Sequence, residues 1–149
     1  MTRMTVIWLA LTLVGACGAS EEGGAQTITE EPTDDTVEAA TRAALAWLEL
    51  VDEGAYGASW DQAAAYFRGA VSRDQWVEQV RGVRAPLGDV QRRTLRSATP
   101  TTSLPGAPDG EYVVIEYRTS YAHKASAVET VTPMRDPDGS FRVSGYFIR

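Results

Sequence analysis

The sequence predicts an α+β domain in which N-terminal helices pack on a curved four-stranded antiparallel sheet. Apolar residues recur at helical spacing as far as Gly88 and at a spacing of two beyond it. Turn signals then divide the second half into four runs, of which Tyr112 to Tyr121 is dense in Val, Ile and Tyr. Helices and strands are therefore segregated along the chain instead of alternating, which is the α+β order. No internal repeat is present.

Asp35 or Thr36 can cap the first helix, whose apolar face is Val37, Ala40, Ala44, Trp47, Leu48 and Val51. Gly54 is placed to end it in a left-handed cap. Ser59-Trp60-Asp61-Gln62 reads as a capping box opening a second helix, which continues through Ala63, Ala64, Tyr66 and Phe67 to Gly69. The same pattern at Ser72-Arg73-Asp74-Gln75 opens a third. Trp76, Val77, Val80 and Val83 form its inner face, and Pro86 and Gly88 stop it.

Asp89 to Ala98 alternates weakly and is rich in arginine, as an edge strand should be, because charge discourages unwanted pairing. Pro100 to Gly110 reads as a loop. Tyr112 to Tyr121 is the strongest strand, Ala125 to Met134 the third, and Phe141 to Ile148 the fourth, after the turn Asp136-Pro137-Asp138-Gly139. The order of elements looks like the cystatin or nuclear-transport-factor-2-like shape, with the sheet wrapped around the first helix.

The N-terminus carries a different message. Arg3 precedes an apolar run from Met4 to Val14, the signature of a signal peptide over residues 1–16. The run is shorter than the roughly 20 apolar residues a spanning helix needs. Val14-Gly15-Ala16-Cys17 resembles the lipobox of bacterial lipoproteins, which implies cleavage before Cys17, acylation of its sulfur and attachment to a membrane. Gly18 after the cysteine implies, by resemblance to sorting signals, the periplasmic side of the outer membrane. The competing reading is an ordinary signal peptide cut after Ala19, with Cys17 incidental.

Residues 17–35 then form an acidic linker ahead of a single domain at 36–149. The linker holds Glu21, Glu22, Glu30, Glu31, Asp34 and Asp35 and no basic residue, so it cannot bury enough surface to fold alone. The whole chain of 149 residues has a net charge of -6 and an isoelectric point near 4.8. Without the linker carboxylates and Arg3, the domain comes to about -1 by the same count. Neither value suits a nucleic-acid binder, which needs a basic surface. One cysteine and one histidine exclude a disulfide framework and a thiolate- or imidazole-rich metal site. No motif calls for a cofactor.

Several segments carry a family resemblance. They are Trp60 through Phe67 with Val71-Ser72 and Trp76; Arg84-Ala85-Pro86-Leu87-Gly88 with Arg92; and Leu104-Pro105-Gly106 with Asp109-Gly110-Glu111-Tyr112. They continue through Glu129-Thr130-Val131 and Asp138-Gly139 to Gly145-Tyr146-Phe147-Ile148. The chain from Val37 onward resembles domain of unknown function 4019, a family of exported bacterial proteins. The resemblance implies no reaction and transfers no catalytic residue.

Candidate residues divide between structural and chemical readings. His123 stands alone near a turn and reads as solvated. Glu116 and Arg118 can pair across strands on a wet sheet face. Alternatively Glu116 or Glu129 lies inside the concave sheet as a general acid or base, with Tyr117 beside it and Tyr56 and Trp60 at the pocket mouth. A buried Glu116, Glu129 or Asp61 without an ion-pair partner would favour that reading. Arg81, Arg84, Arg92, Arg93 and Arg96 form a solvated basic cluster open to an anionic partner. On the fourth strand Phe141, Val143 and Phe147 face one side, and Tyr146 and Ile148 the other. The second apolar side calls for cover by a homodimer, an envelope protein partner or the loop from Pro100. The expected function is a non-enzymatic interaction module on a membrane anchor; the alternative is a small-ligand-binding or acid-base enzymatic domain.

Overall fold

The computed structural model describes residues 33–149, so the apolar N-terminal run, Cys17 and the acidic segment up to Pro32 lie outside the described residues. Four helices come first: α1 (Asp34–Asp52), α2 (Tyr56–Asp61), α3 (Ala65–Ala70) and α4 (Arg73–Arg84). Four strands follow: β1 (Val90–Thr101), β2 (Tyr112–Tyr121), β3 (Lys124–Arg135) and β4 (Phe141–Ile148). They form one antiparallel sheet in the order β1-β2-β3-β4, each strand pairing with its neighbour in sequence. The fold is α+β.

α1 starts earlier than its capping residues suggested. Thr33 holds the extended N-cap position without a side-chain capping bond. Asp34 and Asp35 sit in the first turn, where their charge meets the positive end of the helix dipole. At the far end Gly54 takes φ 74°, and the amides of Gly54 and Ala55 donate to the carbonyls of Val51 and Leu50. That is the expected left-handed termination. α1 lies across the strands, burying Ala40, Ala44, Trp47, Leu48 and Val51 against Val113, Ile115, Val131 and Val143.

The capping box expected at Ser59 does not form. Ser59 is wholly buried inside α2. Its hydroxyl donates to the Tyr56 carbonyl at 2.8 Å and accepts from the Trp76 indole at 2.9 Å, while its carbonyl accepts from the Trp47 indole at 2.7 Å. A hydroxyl committed to a buried indole is not available as an exposed cap. The expected second helix is therefore two short ones. The amide of Ala64, between them, bonds to the carbonyl of Val143 on β4 at 2.8 Å. The Ser72 box does form and opens α4.

On α4 the inner positions are Trp76, Val80 and Arg84; Arg84 is 5% exposed, whereas Val83, expected inside, is 49% exposed.

β4 departs from strict alternation. Thr132 pairs with Gly145 and Pro133 with Val143, which leaves Ser144 as an extra residue. Pro133 supplies the reason: it is fully buried in a central strand yet has no amide to donate. The Ser144 hydroxyl donates to the Thr132 carbonyl at 2.8 Å. The bulge reverses the faces beyond it. Tyr146 thus joins Phe141 and Val143 on the helix side, packing 5.2 Å from Trp47, and Phe147 turns outward. The expected faces of Tyr146 and Phe147 are exchanged. At the other end of the sheet, Tyr112 and Met134 are covered by Leu104 and Ala107 from the β1–β2 loop. Pro100 and Thr101, expected in that loop, extend β1, where an edge strand tolerates proline.

Candidate functional site

Glu129 on β3 faces Tyr117 of β2 and Ile148 of β4, and its side chain is wholly buried. Charge in such a place must be met by donors. Arg93 on β1 supplies two: Nε lies 2.6 Å from Oε2 and Nη2 3.2 Å from Oε1. Thr119 donates to Oε2 at 3.0 Å. Tyr121 and Tyr146 donate to Oε1 at 3.0 and 2.6 Å. Arg84 stands 3.5 Å from Oε1 and donates to the Tyr146 hydroxyl at 3.2 Å. Asp52, at the end of α1, closes the cluster by accepting from Arg84 at 2.9 Å and from Arg93 at 2.7 and 3.0 Å.

Two carboxylates and two guanidinium groups make the cluster neutral. Burial works against the charge of Arg84, but the Tyr146 oxygen and Asp52 more than reverse it, so its pKa is raised. Burial likewise opposes Arg93, and hydrogen bonds to Asp52 and Glu129 outweigh it. Burial and then the negative charge of Glu129 push both Tyr146 and Tyr121 upward, which keeps their protons on the donating side. The buried Tyr117 hydroxyl, also pushed up by burial, has no hydrogen-bond partner among the described residues.

The chemistry of this arrangement is restraint. A carboxylate offers about four lone-pair sites, and five short hydrogen bonds from protein groups already converge on Glu129. A general base needs its oxygen within about 2.6–3.2 Å of a substrate proton, and here those positions are taken. The cluster ties α1, α4 and all four strands to one point. Among the described residues, no group of three or more His, Cys, Asp or Glu could hold a metal ion.

Of the pocket residues expected from sequence, Tyr117 and Glu129 come together. Glu116 does not join them; it lies on the outer face of β2, 3.5 Å from Arg96 and 2.6 Å from Arg149. Tyr56 and Trp60 pack on the apolar core in the helical layer, where the Trp60 indole donates to the Val71 carbonyl at 2.8 Å. Asp61 is exposed and pairs with Arg73 at 3.2 Å. His123 occupies the β2–β3 turn beside Gly88. The amides of Ala122 and His123 donate to the carbonyls of Asp89 and Leu87 at 2.8 and 2.9 Å, joining that turn to the α4–β1 connection.

The arginine cluster splits. Arg84 and Arg93 turn inward to Glu129 and Asp52, so they are not part of a solvated face, while Arg81, Arg92 and Arg96 remain exposed. Asp52, Thr119, Tyr121 and Tyr146 were missed as members of the cluster. The one sequence signal is indirect: Thr119 and Tyr121 continue the row of Ile115 and Tyr117, as Arg84 continues that of Trp76 and Val80.

The family model described as Protein of unknown function (DUF4019) matches residues 43–146. The chain belongs to that family. The DUF4019 match takes in Asp52, Arg84, Arg93, Thr119, Tyr121, Glu129 and Tyr146, the whole of the cluster. No curated protein and no solved structure matches the chain. No helix of the described part of this DUF4019 protein is long and apolar enough to cross a membrane.

Proposed function

We propose that this protein is an exported, acylated envelope lipoprotein whose DUF4019 domain is a non-enzymatic binding module held close to a membrane. The observation that carries this reading is Val14-Gly15-Ala16-Cys17 at the end of a short apolar run. Several acyl chains on Cys17, each methylene worth about 0.8 kcal/mol once buried, give an anchor that does not readily dissociate. The acidic segment spaces the domain from the bilayer. The saturated Glu129 supports the non-enzymatic part, since its oxygens bind the fold together and leave contact with other molecules to the surface.

Intact mass of the membrane-extracted protein tests the anchor: residues 1–16 are absent and residue 17 carries diacylglycerol and an amide-linked acyl chain. A Cys17→Ser form should move to the soluble fraction. If that form stays acylated and membrane-bound, the proposal is wrong. Density-gradient separation of the two membranes reads the outer-membrane address implied by Gly18.

A further inference from the structure

We infer that the outer face of the sheet is a docking surface for anionic phospholipid headgroups, received by Arg92, Arg96 and Arg118. Its orientation toward a bilayer rests on the acylated reading above. In the β1–β2 register Arg92 lies opposite Ser120, and Thr94 opposite Arg118. These residues, with Leu95, Arg96 and Ala125, line an open cleft of about 530 Å³. Arg92 and Arg118 have no ion-pair partner among the described residues. Arg96 meets Glu116 only at 3.5 Å, and Arg149 competes for the same carboxylate at 2.6 Å. Unlike Arg84 and Arg93, whose charge is answered inside the fold, Arg92, Arg96 and Arg118 are exposed. A guanidinium fork matches the oxygens of a phosphate, and Thr94 and Ser120, each opposite one of these arginines in the register, add hydroxyls to the cleft lining.

Apolar groups accompany the charge. Leu95 and Phe147 are 52% and 51% exposed, and the Arg149 guanidinium lies 6.0 Å from the Phe147 ring centre. Cationic residues beside exposed aliphatic and aromatic ones suit the boundary between headgroups and acyl chains. The opposite layer leans to the other sign: Glu49, Glu53, Asp74 and Glu78 are exposed and without ion-pair partners among the described residues, against Arg68 and Arg81. A nearly neutral domain is thus polarised, and an anionic surface would turn its sheet inward and its helices outward. The tether makes weak contacts sufficient. A lipid anchor at Cys17 holds the domain at a high local concentration beside the bilayer.

The test uses the mature polypeptide from residue 17 with Cys17→Ser, which has no acyl chains and retains every contact of the core and of the buried cluster. It is sedimented with vesicles of phosphatidylglycerol and phosphatidylcholine in equal parts, and with phosphatidylcholine alone. The expected result is salt-sensitive binding to the anionic vesicles only. Each arginine near a charged surface is worth about fivefold in partitioning. Arg92→Gln with Arg118→Gln should therefore weaken binding by about 25-fold at an unchanged thermal midpoint, while Arg81→Gln on α4 has little effect. Equal binding to both vesicle types, or indifference to the double substitution, overturns the proposal. So does dimerisation abolished by the double substitution, or saturation by free inorganic phosphate without vesicle binding. Because the polypeptide lacks acyl chains, failure here with a normal intact mass sinks the docking surface alone. Vesicle binding with an unmodified Cys17 sinks the anchor alone.

Discussion

Asp52, the last residue of α1, is joined to Arg93 on the edge strand β1 by hydrogen bonds of 2.7 and 3.0 Å across 41 positions of sequence. The same guanidinium holds Glu129 on β3. One side chain thus fixes the end of a helix to an edge strand and to a central one. An edge strand paired on one side only gains a second attachment.

Glu129→Gln keeps the shape of the side chain and removes its charge. Arg84 and Arg93 are then left with Asp52 as their only carboxylate partner in the cluster. Breaking a buried pair in this way costs about 3–5 kcal/mol. The expected result is a lower urea midpoint with an unchanged denaturant slope. A loss under about 1 kcal/mol would show that the cluster is not the tie described here.

Alkali should unfold the protein through Tyr121 and Tyr146. Their pKa values are raised in the folded state, first by burial and then by Glu129. An unfolded tyrosine ionises near pH 10. Stability from the two phenols is therefore intact below pH 10 and is lost as pH climbs from there toward the folded values. The loss is about 1.4 kcal/mol per pH unit for each phenol. Ultraviolet titration should show phenolate signal from these two residues appearing together with the loss of far-ultraviolet circular dichroism. Tyr146→Phe should reduce the steepness. Gradual ionisation of all 6 tyrosines near pH 10 in a still-folded protein contradicts this account.

Ser59→Ala removes the acceptor of the Trp76 indole and leaves a buried N–H unpaired. The cost is about 1–3 kcal/mol, read as a lower thermal midpoint and a shifted tryptophan emission. Ser72→Ala, at an exposed cap, should cost about 1 kcal/mol. Equal effects would argue against the buried role of Ser59.

Gly88 has φ 72°, and a Cβ there would stand 2.9 Å from the His123 ring and 3.0 Å from Ala122. Gly88→Ala should destabilise by about 1–3 kcal/mol from backbone strain and crowding. In a His123→Ala background the penalty should fall, because one of the two crowding groups is gone. Additive effects of the two substitutions in denaturation would rule out the contact.

The strand order and the α1 face were legible because a period of two or of 3.6 survives in the residues themselves. Ser59 misled because a capping box and a buried hydroxyl share the same letters, and only the position of Trp76 distinguishes them. The polar cluster was half legible. Glu129 could be suspected, but its union with Asp52 and Arg93 depends on strand register and helix docking, which no local pattern encodes. Arg84 reads as a surface charge until a carboxylate is placed beneath it. The reversal in β4 left a trace in Pro133, a residue with no amide in the middle of a central strand.

Ser144, the extra residue in β4, has a consequence for how the protein can vary in length. Between Val143 and Tyr146, gaining or losing two residues preserves which side chains meet the tryptophans; gaining or losing one swaps aromatic filling for a hole and pushes a phenol into water. Insertions and deletions in the last strand should therefore be tolerated in even steps and rejected in odd ones.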